Sequence, residues 1–180
     1  MSPPLRTQQD LDALWKGLEA GEIQIVATDH CPFNYAKEKQ DGKDDFRKCP
    51  NGAPGVEERM ILLFSEGVMK NKISINKLVE VACTNPAKVY GMYPKKGIIE
   101  PGADGDLIII DADAKQTLTH EMMHGAVDYT SYEGTPLNGK IDLVMQRGNI
   151  IAENNEFKGN RGDGQYIYLS LIHISEPTRH

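Results

Sequence analysis

The 180-residue chain predicts an α/β fold: the C-terminal part of a TIM (β/α)8 barrel, its last strand and helices, followed by part of a small β-sandwich domain. Three observations predict it. A helical pattern over residues 7–21 hands directly to a buried, β-branched run at 23–27, the order of a barrel's closing crossover. That run delivers a carboxylate, Asp29, then stops at Pro32, and in a barrel the C-terminal strand ends carry the chemistry. From Lys95 onward the texture switches to short apolar runs divided by Gly and Pro, as sandwich strands read. A complete barrel takes ~250 residues, so this chain holds only a portion of one.

Each element has a local reason. Thr7 caps the first helix with Asp10 favourably placed in its first turn; Leu11, Leu14, Trp15 and Leu18 recur at helical spacing, and Gly21 ends it. The charge-interleaved segment from Lys37 to Asp45 reads as a solvated loop. Pro50-Asn51-Gly52-Ala53-Pro54-Gly55 is dense in residues that fix or free the backbone. A helix follows with Val56, Met60, Leu63, Phe64 and Val68 on one side and Gly67 near its end. Ser74 caps a further helix carrying Leu78, Val79 and Ala82, and Asn85-Pro86 opens a last short one ending at Gly91. A domain boundary falls near Tyr93-Pro94, giving a barrel portion at 1–94 and a β-domain portion at 95–168. In the latter, residues 107–110 form a buried strand, and 141–146 and 149–153 form a hairpin turning at Arg147-Gly148.

Composition removes several function classes. Twenty Lys and Arg against 26 Asp and Glu leave a formal charge of −6, which opposes a general nucleic-acid-binding face. No apolar run approaches the ~20 residues of a membrane helix, and no h-region follows Met1. Three cysteines, Cys31, Cys49 and Cys83, form no CxxC pair, which fits a reduced, cytoplasmic compartment. Cys31 lies beside Asp29; packing under the site is favoured over thiolate ligation, because only His30 stands near it as a second donor.

Taken alone, Asp29 reads equally well as a turn cap. Its flanks decide otherwise. Thr28-Asp29-His30-Cys31-Pro32-Phe33, then Phe46-Arg47-Lys48-Cys49-Pro50-Asn51-Gly52 and Gly55-Val56-Glu57-Glu58-Arg59, closely resemble the dihydropyrimidinase and D-hydantoinase family of the amidohydrolase superfamily, from Ser2 to about Tyr166. The resemblance implies a metal-dependent cyclic amidohydrolase that opens the amide of dihydropyrimidines or hydantoins to N-carbamoyl amino acids. It implies two divalent metal ions, zinc by expectation, and Asp29 as metal ligand and general acid/base. It implies substrate contacts from backbone groups at Ser2 and Asn51, a small cyclic amide or imide as partner, and a homotetramer. The family's other metal ligands, an HxH pair, a carbamylated lysine and two histidines, have no counterpart in this chain. The expectation is therefore a C-terminal fragment that is inactive alone.

Competing readings are weighed on residues. Non-catalytic collapsin-response-mediator proteins share the fold and much of the sequence but have lost metal ligands, whereas Asp29 and the Pro50-Asn51-Gly52 loop are intact. Allantoinase and dihydroorotase share the strand-end Asp, but the Cys31-Pro32-Phe33 continuation and the Pro50-Asn51-Gly52 loop favour the dihydropyrimidinase branch. His120-Glu121-Met122-Met123-His124 spells HExxH without a long helix or third ligand, so the pair reads as surface or structural histidines. His30 follows Asp29 directly; in extended chain the two point to opposite sides, which makes His30 a supporting residue. The final segment, 169–180, fits no fold signal and resembles an in-frame translation of a transposon-type sequencing adapter, so no function is expected of it.

Overall fold

The computed structural model describes residues 4–169, so Ser2 and residues 170–180 of the predicted tail lie outside the described residues. Helix α1 (Gln8–Ala20) starts as its sequence dictates: Thr7 and Asp10 form a reciprocal capping box, and Gly21 closes the helix in the left-handed conformation at φ 79°. Helix α2 (Arg59–Leu62) continues through wider π-type turns over Leu63–Val68. Helix α3 (Ile75–Val79), capped by the Ser74 hydroxyl, runs through Glu80–Thr84 into α4 (Asn85–Val89). The two helices expected here are thus one continuous run. Pro86 has no N–H for the carbonyl one turn back, and the run widens just before it rather than breaking.

The β-region is a four-stranded antiparallel meander in the order β1 (Leu107–Thr117), β2 (Pro136–Gln146), β3 (Asn149–Glu153), β4 (Glu156–Phe157). The β2–β3 turn falls at Arg147-Gly148, both at positive φ, as a two-residue hairpin requires. Strands β1 and β2 are longer than their apolar runs. β1 passes irregularities after Ile109 and after Asp111 before pairing Lys115–Thr117 with Pro136–Asn138.

The strand predicted at 23–27 does not form one. The isolated parallel bridge from His30 to Ala53 lies beyond the segment, which has no ladder of its own among the described residues. It is anchored instead to the helices: the Val26 N–H donates to the Val81 carbonyl at 3.1 Å, and the Asn85 amide donates to the Gln24 carbonyl at 2.9 Å. A strand exists by its neighbours' hydrogen bonds, and no described segment runs alongside this one.

The core lies between the helical run and β1–β2. Leu18, Ile61, Phe64, Ile73, Leu78, Val81, Leu118 and Leu137 are buried together, with Trp15, Ile23 and Val26 packed against them. Gly139 allows a close approach of helix to sheet: a Cβ there would stand 2.7 Å from the Phe64 ring. Ser65 is fully buried, and its hydroxyl accepts the Asn138 N–H at 2.9 Å, so a polar contact registers the helix on β2. Among the described residues, no helix is long and apolar enough to cross a membrane.

Candidate functional site

Two irregular loops carry Asp29 and Asn51, one after residues 23–27 and one before α2. Asp29 is exposed, with φ 49°, a left-handed backbone that Asp tolerates better than most residues. Its carboxylate is free of protein hydrogen bonds among the described residues. Two residues on, the chain bonds to the second loop: the Cys31 N–H donates to the Ala53 carbonyl at 3.2 Å. The His30 Nδ1 accepts the N–H groups of Gly55 and Val56 at 3.2 and 3.3 Å. Because Nδ1 accepts, a neutral His30 carries its proton on Nε2. His30 is therefore a brace between loops; the extended-chain alternation expected to set it apart from Asp29 is not what places it, since the backbone at Asp29 is left-handed.

Asn51 is exposed on the second loop, next to Gly52 at φ 106°. A side chain at Gly52 would put its Cβ 2.5 Å from the Cys31 carbonyl oxygen, so the residue must be glycine for two reasons, conformation and contact. Cys31 is exposed yet packed against Gly52; it borders the site rather than lying beneath it. Ser2 cannot be placed, being outside the described residues.

Lys39 corrects the reading of 37–45 as a merely solvated loop. Its amine donates to the carbonyls of Pro50 and Gly52 at 2.6 and 2.7 Å and stands 5.5 Å from the centre of the Phe33 ring. One ammonium thus fixes both walls of the loop pair. A loop whose carbonyls lack backbone donors needs such a group, but nothing in the charge pattern says which lysine supplies it. Asp128 was equally invisible: its carboxylate accepts the N–H groups of Tyr35 and Ala36 at 2.6 and 2.9 Å from 92 residues away in sequence. Those two donors hold its carboxyl below the usual range.

The HExxH histidines have structural partners. The His120 Nε2 is 2.7 Å from the Val127 carbonyl. In His124, Nδ1 is 2.6 Å from Glu57 Oε1 and Nε2 is 3.1 Å from the Asn155 carbonyl. The Glu57 hydrogen bond raises the His124 pKa against the opposing effect of partial burial.

Whether these residues could by themselves hold a metal is decided by donor count. A catalytic zinc takes at least three protein ligands, and among the described residues no three His, Cys, Asp or Glu side chains converge on one point. Asp29 is one free carboxylate with its neighbour's Nδ1 already engaged. The described residues alone do not fit a metal; they supply one donor.

The profile of the Amidohydrolase family matches residues 3–151. A D-phenylhydantoinase of Escherichia coli O1:K1 / APEC is 45% identical over 167 residues, covering 93% of this chain and 36% of that protein. A D-hydantoinase of Streptomyces coelicolor is 43% identical over 165 residues, covering 92% and 35%. The crystal structure of dihydropyrimidinase from Brevibacillus agri NCHU1002 superposes with a TM-score of 0.91 at 44% identity, over 94% of this chain and 37% of that one. The chain spans about a third of the length of these relatives.

Proposed function

The chain belongs to the amidohydrolase family, and from that premise we propose that it is the closing portion of a metal-dependent cyclic amidase acting on dihydropyrimidines or hydantoins. The observation that carries the reading is Asp29: a carboxylate without a hydrogen-bond partner among the described residues, exposed, and held in a left-handed backbone conformation beside a cross-braced loop pair. Residues 1–94 would complete a (β/α)8 barrel and 95–168 would contribute to its small β-domain. Relatives at 43–45% identity are named for hydantoin substrates, and the superposed structure is a dihydropyrimidinase; both names support this substrate class.

In the complete protein, Asp29 would be one ligand of a pair of divalent ions, zinc by expectation, whose other ligands come from elsewhere. Such ions supply Lewis-acid polarisation and a more acidic water. Asp29 would take a proton from the water as its oxygen bonds to the carbonyl carbon, and would return it to the ring nitrogen as the C–N bond breaks, giving an N-carbamoyl amino acid. Backbone groups at Ser2 and Asn51 would read the ring's alternating N–H and C=O, since main-chain partners suit such a pattern. The enzyme would be a cytoplasmic homotetramer.

The test uses the complete gene product. Zinc-dependent opening of dihydrouracil or a 5-substituted hydantoin is expected, and Asp29→Ala should lower kcat by on the order of 10³-fold. Retained turnover in Asp29→Ala would remove Asp29 from the chemistry. Preference for allantoin or dihydroorotate would move the enzyme to a neighbouring branch, and assembly without any ring opening would favour the non-catalytic class.

A further inference from the structure

Between β1 and β2 the chain leaves the sheet at Leu118 and returns at Thr135. The excursion is closed at its base: the Leu118 N–H donates to the Thr135 carbonyl at 2.8 Å, and the Gly134 N–H donates to the Leu118 carbonyl at 2.9 Å. Along its length it reaches the candidate site loops four times. Asp128 accepts the N–H groups of Tyr35 and Ala36. Tyr129 meets Tyr35 edge to face, ring centres 5.9 Å apart. The Thr130 hydroxyl donates to the buried Glu58 carboxylate at 2.6 Å. His124 bonds Glu57 through both its ring and its backbone N–H, at 2.6 and 2.9 Å. The first two contacts grip the loop that follows Asp29; the last two grip the segment that follows Asn51.

We propose that residues 118–135 act as a strap that positions the two site loops, with Asp128 as the positioning residue that sets the loop carrying Asp29. The consequence for turnover rests on the reading of Asp29 as the reacting carboxylate; the strap itself does not. A single carboxylate bridging two consecutive N–H groups is a charge-assisted, two-point contact. It fixes the direction of the backbone at 35–36, and through the short run back to Pro32 it limits where Asp29 can sit. The segment that follows Asn51 has braces that do not pass through Asp128, the Thr130 contact to Glu58 and the His124 contact to Glu57. Loss of Asp128 should therefore act on Asp29 and spare Asn51, which predicts a change in kcat with KM held.

The experiment compares wild type, Asp128→Asn and Asp128→Glu in the complete protein. Asparagine keeps the shape but loses the charge and one acceptor, while glutamate keeps both acceptors on a longer stem. Amide hydrogen exchange over residues 29–36 should speed up about tenfold in Asp128→Asn, with β2 unchanged, and return most of the way in Asp128→Glu. Ring opening should lose about tenfold in kcat in Asp128→Asn with KM within about twofold. Unchanged exchange at 29–36, or acceleration spread equally over β1 and β2, overturns the strap. Locally faster exchange with unaltered kcat overturns the positioning role. If Asp29→Ala keeps full activity, the catalytic reading of Asp29 falls and the exchange comparison alone judges the strap.

Discussion

The helix–sheet core and the loop pair bearing Asp29 and Asn51 are held by different forces. In the core, Leu78, Val81, Leu118 and Leu137 are each at most 3% exposed, and dense apolar packing maintains the arrangement. In the loops, Asp29, Cys31 and Asn51 are all exposed, and order comes from discrete polar contacts: His30 on 55–56, Lys39 on Pro50 and Gly52, Asp128 on 35–36. A site must leave its reacting groups uncovered, so it cannot be stabilised by burying them. It is stabilised by neighbours that bond the backbone around them.

The largest effect belongs to the core. Leu118→Ala removes a side chain that is 1% exposed where the strap leaves β1 and should cost about 2–5 kcal/mol in urea unfolding. A cost under about 1 kcal/mol would mean that core and loops are not held so differently. Gly52→Ala comes next, at about 1–3 kcal/mol, because the added Cβ collides with the Cys31 carbonyl and the backbone is strained for any other residue. Its signature should be local, with faster protease cleavage at 49–53 while the core transition stays cooperative. The smallest effect is electrostatic. Glu57 raises the His124 pKa, so the pair's stabilisation is complete below the ordinary histidine value of about 6.5 and fades as pH rises through the folded value. Between those limits, melting temperature should fall with pH more steeply in wild type than in His124→Gln; parallel curves would show that the ion pair contributes nothing measurable.

Much of the scaffold was legible. The Thr7 cap, the Gly21 stop, the Ser74 cap and the Arg147-Gly148 turn are local devices whose partners lie within a few residues, and all four stand where the sequence predicts them. The first half of β2 was not legible: the predicted strand starts at 141, and Pro136, Asn138 and Gly139 are residue types depleted in strands. Gly139 is in the sheet because the Phe64 ring occupies the space where its side chain would be. The segment at 23–27 failed the other way: its composition is that of a strand, but pairing is a property of two segments, and its hydrogen bonds go to helix carbonyls and side chains.

By itself the sequence determined the family, through the motifs around Asp29 and Asn51, and the local starts and stops of most elements, because short-range sterics and capping depend only on neighbouring residues. Tertiary structure alone decided which side chains brace the site. Lys39 and Asp128 look like ordinary solvated charges, and they acquire their roles only when folding brings a distant backbone carbonyl or a pair of N–H groups within about 3 Å.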